Sequence, residues 1–123
     1  MYIKIAKVHF ERIVNNIKEN AKKHGYVDKS KNYRLEIRLS LTINGDMFQI
    51  DFVNNGEPLP KGINKEYYGM LGMKAGPYGN TGIGGNVIKI LTQRYNGDYD
   101  IFMDNDSTVI RILFPLSDKN TFR

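Results

Sequence analysis

Three groups of residues in this chain have the types and spacing to do chemistry. Asn16, Asn20, Lys23 and His24 recur at the three- and four-residue intervals that share one flank of a helix. Amide oxygens on such a stripe can ligate a hard cation such as Mg²⁺, and a lysine and a histidine beside them can meet phosphate oxygens. Seven of the twelve glycines lie between Gly69 and Gly85, and the run Asn80-Thr81-Gly82-Ile83-Gly84-Gly85 opens directly into an apolar helical pattern. Glycines let backbone N–H groups approach phosphate oxygens, and the following helix adds its positive end. Between these groups stands Asn54-Asn55-Gly56-Glu57-Pro58, just past a strand pattern, where an asparagine amide can both donate and accept. Each group also has an ordinary alternative: a solvated helix flank, a flexible loop and a plain turn.

The elements that must position them can be read from periodicity. Phe10, Ile13, Val14, Ile17 and Ala21 recur at helical spacing, which predicts a helix from Lys7 to about Gly25. The asparagine stripe falls roughly a quarter-turn from that apolar face, where side chains would line a cleft. Tyr2, Ile3 and Ile5 suggest a short strand or extended lead-in. From Tyr33 to Ile43 the chain alternates strictly, with Leu35, Ile37, Leu39, Leu41 and Ile43 on one side, which predicts a half-buried strand. Asn44-Gly45-Asp46 turns it, and Met47 to Val53 returns as a hairpin. Asp51 lies an odd number of residues from Asn54, so a regular strand points it to the opposite face. No periodicity survives from Asn54 to Asn80, and a connection that long is usually functional or disordered. A second helix is expected from Gly82 to about Tyr95, ended by Asn96-Gly97. Strands near Tyr99–Met103 and Thr108–Phe114 then flank the turn Asp104-Asn105-Asp106. Helix, hairpin, loop, helix, hairpin is an α+β order: a two-layer sandwich with helices on one face of a mixed, largely antiparallel sheet.

Composition bounds the function classes. At 123 residues the chain is expected to be a single domain, residues 1–123. It has no cysteine, which removes disulfides and thiolate metal sites and fits a cytoplasmic protein. No apolar run reaches the roughly 18–20 residues a bilayer requires, and the N-terminus does not read as a secretory signal. No membrane contact is expected of this segment. The formal net charge of +5 is spread among interspersed acids, without the basic, aromatic-lined stripe of a nucleic-acid surface, so no nucleic-acid partner is expected.

The segment Asn16-Ile17-Lys18-Glu19-Asn20-Ala21-Lys22-Lys23-His24 resembles the N box of sensor histidine kinases. In that box an asparagine, three residues, asparagine-alanine and then a basic residue and a histidine or tyrosine follow in order. Asn54 to Pro60 resembles the first glycine box, with Asn54 where the family has aspartate and Pro58 where it has a second glycine. Asn80 to Gly85 resembles the second glycine box, with Asn80 in place of its first glycine. Asp106-Ser107-Thr108 followed by alternation to Pro115 is similar to the closing strand. The matches run from about Phe10 to Pro115 in the family's order. They identify the chain as resembling the ATP-binding catalytic domain of these kinases and the wider GHKL (Bergerat-fold) superfamily, with type II topoisomerases and ninety-kilodalton heat-shock chaperones.

The resemblance implies a nucleotide, ATP or ADP, bound with Mg²⁺. Asn20 would be the metal ligand, and Asn16, Lys23 and His24 would line the phosphate side. Asn54 and Gly56 would meet the base, with Thr108 holding its edge. Thr81, Gly82, Gly84 and Gly85 would cradle phosphates at the helix start. The glycine-rich stretch between the boxes would be a lid, in which Lys74 could reach the terminal phosphate and Tyr67-Tyr68 stands where the kinases carry a phenylalanine motif. The asparagine at 54 leaves the base open: its amide could pair with adenine or, turned over, offer its amino group to the guanine carbonyl. Hydrolytic relatives carry a glutamate four residues before the metal-binding asparagine; here that place is Asn16, so intrinsic ATP hydrolysis should be very slow. Kinase relatives pass the γ-phosphate to a histidine on a separate helical domain, and His9 and His24, both on the first helix, are poor substitutes for it. Three classes follow: a histidine-kinase-type nucleotide domain serving a phosphoacceptor domain or partner protein, a nucleotide-gated interaction module, and a basic nucleic-acid binder.

Overall fold

A computed structural model describes residues 3–22, 32–56, 64–68 and 82–116 of the chain. The elements are α1 (Lys7–Asn20), β1 (Leu35–Leu41), β2 (Met47–Asn54), α2 (Lys65–Tyr68), α3 (Gly82–Arg94), β3 (Asp98–Asp104) and β4 (Ser107–Pro115). The strands form one sheet in the order β1-β2-β4-β3, and every pairing among the described strands is antiparallel. The helices cover one face, giving the expected α+β sandwich of two layers.

The apolar periodicities do what their spacing predicts. Ile13 and Ile17 of α1 and Ile88 and Leu91 of α3 pack down onto Ile50 and Phe52 of β2, Ile110, Ile112 and Phe114 of β4, and Tyr99 and Ile101 of β3. The two helices run antiparallel along each other. The Tyr95 hydroxyl, just past the end of α3, accepts the Ala6 N–H at 3.2 Å and contacts His9 Nδ1 at the start of α1. The glycine-opened end of α3 therefore lies toward the end where α1 finishes. Past α3 the chain turns through Asn96 at φ 59°, and Gly97 N–H returns to the Thr92 carbonyl at 2.8 Å. A Cβ on Gly97 would stand 2.1 Å from the Leu113 carbonyl oxygen, so only glycine lets the chain pass β4 this closely.

Four expectations change. The first helix is regular only to Asn20, with residues 21 and 22 in a wider turn, and Gly25 lies outside the described residues. Ile3 and Ile5 form no strand among the described residues but pack, partly buried, against the core. The expected half-buried strand is instead an apolar overhang: Ile37, Leu39 and Leu41 are 51%, 64% and 42% exposed. They share the face of their β2 partners Phe52, Ile50 and Phe48, which pack in or against the core, but β1 is the edge strand and its own side chains stay exposed. Within the long loop, a short helix, α2, is fastened to β3. Lys65 bridges Asp98 at 2.8 Å, and the Tyr99 hydroxyl donates to the Lys65 carbonyl at 2.8 Å. Burial pushes the Tyr99 hydroxyl pKa up, in keeping with a neutral donor.

Candidate functional site

The site continues the strand register of the core. On β2 the residues facing the helices are Ile50, Phe52 and Asn54, and their β4 partners are Ile112, Ile110 and Thr108. At the last pair the chemistry switches from apolar to polar while burial persists: Asn54 is 8% exposed and Thr108 3%. Above this pair stand Ile17 and Ala21 from the end of α1. Tyr68 of α2 closes one side, with Ile101 and Ile110 beneath. The hollow between them is about 10 Å³, room for roughly one water, and among the described residues no charged side chain lines it. A base enters only if the wall yields, and Tyr68, 1% exposed, is its largest member.

The strand end is held by asparagine chemistry. Asn54 Oδ1 accepts the Gly56 N–H at 2.7 Å, an Asx turn that starts the following loop. Asn55 Oδ1 accepts the Arg34 N–H at 2.7 Å, and its own N–H reaches the Arg34 carbonyl at 3.3 Å, which closes the β1–β2 edge beside the site. Thr108 Oγ1 donates to Met103 Sδ at 3.4 Å, so its lone pairs stay available to a ligand. Asp51 lies on the other face, opposite Arg111 in register, where the guanidinium grips it through Nε at 2.9 Å and Nη2 at 3.0 Å. It has no part in the hollow.

The sequence-derived site residues divide accordingly. Asn54, Gly56 and Thr108 come together in buried surroundings. Asn16 is half-buried on the flank of α1, one turn before Ile17–Ala21. Asn20 is the last residue of α1, and its side chain lies outside what is described. Gly82, Gly84 and Gly85 form the first turn of α3. Lys23, His24, Lys74 and Thr81 lie outside the described residues, as do Pro58, Asn80 and most of the expected lid. Among the described residues no cluster of three His, Cys, Asp or Glu could hold a metal by itself. The base end fits a purine by its donor set: a buried amide and a hydroxyl at the rim, aliphatic and aromatic walls between. A larger depression of about 270 Å³, lined by Lys4, Arg94, Tyr95, Asn96, Phe114 and Pro115, lies at the opposite end of the sheet, and none of the described site residues lines it.

Sequence reasoning missed Tyr68 as a wall of the hollow. The signal was an aromatic pair stranded in a polar, Gly- and Pro-rich loop, which has to anchor somewhere.

The architecture is that of histidine kinase catalytic domains. The catalytic domain of the histidine kinase ThkA superposes with a TM-score of 0.72 at 14% identity, over 94% of this chain and 73% of that one. The mycobacterial sensor histidine kinase MprB gives 0.70 at 17%, over 93% and 76%. The histidine kinase domain of the Erythrobacter litoralis EL346 blue-light activated kinase gives 0.65 at 16%, over 92% of this chain but only 46% of that one. Residues 6–118 match the histidine kinase-, DNA gyrase B-, and HSP90-like ATPase family, and the chain belongs to it as a histidine-kinase-like ATP-binding domain. No curated protein matches it in sequence. No helix among the described residues is long and apolar enough to cross a membrane.

Proposed function

We propose that the chain is a single domain that binds ATP or ADP with Mg²⁺ and presents the γ-phosphate to an acceptor histidine on a separate domain or a partner protein, in the cytoplasm. The observation that carries this reading is the buried Asn54–Thr108 pair, set directly across the β2–β4 register at the end of the sheet where α1 finishes. The base sits against Asn54 and Thr108, between Ile17 and Ala21 above and Ile110 below. The phosphates run toward the first turn of α3, where Thr81, Gly82, Gly84 and Gly85 offer backbone N–H groups and the helix its positive end. Asn20 supplies the amide oxygen for Mg²⁺, and Asn16, Lys23, His24 and Lys74 complete the phosphate side. The metal, when bound, neutralises phosphate charge. The protein's own part is positioning and exclusion of water, worth several orders of magnitude in rate without a base of its own. Residue 16, the place where hydrolytic relatives carry a water-activating glutamate, is an asparagine, and intrinsic hydrolysis is expected to be far slower than about 1 s⁻¹.

A second reading, a nucleotide-gated interaction module, is favoured by the narrowness of the hollow: at about 10 Å³ it must open for a base, and a partner could read that opening. Phosphate transfer to a supplied helical-domain histidine separates the two readings. The test of the common core is a calorimetric titration with ADP and Mg²⁺ on the chain and on Asn20→Ala. Mg²⁺-dependent binding that falls at least tenfold in the variant supports the metal role, and Mg²⁺-independent binding refutes it.

A further inference from the structure

We propose that β1 is a self-association edge: two copies of the chain pair antiparallel through β1 about a two-fold axis at Ile37, joining their sheets into one. The inference is independent of the nucleotide reading. Among the described strands β1 has a partner on one side only, in the order β1-β2-β4-β3. Its seven residues pair with β2 in unbroken register, and it carries no bulge, proline or lysine of the kind that blunts an exposed edge. The other edge strand, β3, carries Asp98, Asp100 and Asp104, three carboxylates that disfavour pairing with a copy of itself.

The backbone decides which groups the edge offers. Thr42 N–H reaches the Met47 carbonyl at 3.0 Å, and the Arg34 carbonyl accepts the Asn55 N–H at 3.3 Å. In an antiparallel ladder successive residues turn their N–H and C=O groups to alternate sides, so the even-numbered residues bond to β2. Leu35, Ile37, Leu39 and Leu41 therefore turn theirs to the open edge. A second β1 offers the same groups, so odd-numbered residues must meet odd-numbered ones, and the axis must pass at a residue of the strand.

The side chains choose that residue. On the face away from the helices, Glu36 and Arg38 form an exposed ion pair at 3.0 Å. With the axis at Ile37, Glu36 of each copy lies opposite Arg38 of the other, and the two intrachain pairs become a ring of four alternating charges. One residue earlier the axis sets Glu36 against Glu36, and one residue later Arg38 against Arg38; like charges directly opposite are destabilising. An axis at Leu39 puts Arg38 opposite the neutral Ser40, and an axis nearer either strand end pairs fewer residues. On the helix face, the axis at Ile37 sets Ile37 against Ile37 and Leu35 against Leu39, giving cross-strand contacts to side chains that stand 51% and 64% exposed at Ile37 and Leu39 in the single chain. The interface is small, at the weak and transient end of the range, so the dimer is expected to form at about 100 μM and to dissociate at about 1 μM.

Sedimentation of the 123-residue chain across that range is expected to show the mass rising from one chain to two. Amide hydrogen exchange at Leu35, Ile37 and Leu39 should slow at least about twofold at the high concentration, while Glu36 and Arg38, already bonded to β2, stay unchanged. Glu36→Arg and Arg38→Glu, both at exposed positions, should each weaken association at least tenfold, because each sets like charges opposite one another across the axis. An equimolar mixture of the two variants should recover a two-chain species within about threefold of the wild-type affinity or tighter, since every opposed pair then joins unlike charges. The intrachain ion pair is lost in both variants and in their mixture, so recovery reports the contact between copies alone. A chain that keeps one mass up to about 1 mM overturns the inference. So does a dimer that neither variant weakens, or a pair of weakened variants whose mixture fails to associate.

Discussion

Replacing Asp51 by asparagine should cost stability and leave nucleotide affinity untouched. Asp51 is the one carboxylate on β2, three residues before Asn54, and the obvious candidate for the base-recognising acid that position 54 lacks. The structure gives it other work. Both its oxygens face Arg111 on the neighbouring strand, at 2.9 and 3.0 Å, and the guanidinium also lies 4.9 Å from the Phe102 ring centroid. The Asp51 bond to the Arg111 side chain holds that guanidinium's pKa above its ordinary value against the opposing effect of burial. Exposed ion pairs contribute about 0.2–1 kcal/mol, and losing one partner of a fully buried pair costs about 3–5 kcal/mol. With Asp51 13% and Arg111 35% exposed, this bidentate pair falls between, at about 2 kcal/mol. For a domain of this size that lowers Tm by about 8 °C. A double-mutant cycle of Asp51→Asn with Arg111→Met, read by urea denaturation, should return a coupling of about 1–2 kcal/mol. Calorimetry on Asp51→Asn should return nucleotide dissociation constants within about twofold of wild type, less than 0.5 kcal/mol. A tenfold loss of affinity with an unchanged Tm would mean that Asp51 faces the base and that the assigned strand faces are wrong.

Two further outcomes test the fold that carries the site. Ile50→Ala, at 3% exposure beneath α1, should cost about 2–4 kcal/mol, whereas Leu39→Thr, its 64% exposed cross-strand partner, should change stability by less than about 0.5 kcal/mol in the same denaturation series. For the Lys65–Asp98 anchor of α2, burial pushes the Asp98 pKa up, but the Lys65 bond and the Tyr99 N–H more than offset it and hold it below 3.8. The Asp98 bond raises Lys65 above 10.5. A depressed carboxylate loses its contribution only as pH falls through its folded pKa, and a raised lysine only as pH rises through its own. The Tm difference between wild type and Asp98→Asn should therefore be flat from about pH 5 to 9 and close below about pH 4, as measured by thermal melts.

What could be read in advance follows from which signals are local. The alternation in β2 and β4 and the helical spacing of Ile13, Ile17, Ile88 and Leu91 are properties of the chain itself, and each lands on the core face. The alternation in β1 is as strict, yet it misled, because burial of a strand depends on what is laid over it. Leu39 and Ile50 face the same way on adjacent strands, and only Ile50 is buried. The short helix α2 was invisible to periodicity because four residues hold barely one turn. Its stability comes from Lys65–Asp98 and Tyr99, partners more than thirty residues away. At the site, Asn54 was legible as a group that can both donate and accept, but the partner of its oxygen was not. Which limb of its amide turns inward is decided by the Gly56 N–H, a matter of turn geometry that residue identities do not encode.

The placement of the site has a thermodynamic consequence of its own. Asn54 and Thr108 occupy the last two positions of the same inward rows that, one and two pairs earlier, hold Phe52 with Ile110 and Ile50 with Ile112. A row that stayed apolar to its end would bury these positions without polar groups to satisfy, and would bind nothing. Instead both rows end in polar side chains, an amide and a hydroxyl, that a ligand at this end of the sheet can meet. A ligand that binds the folded chain here and not the unfolded one adds to stability by mass action, so ligand binding and folding are linked through this pair. The melting temperature should therefore rise with ligand concentration, and apolar replacement of both Asn54 and Thr108 should remove that rise.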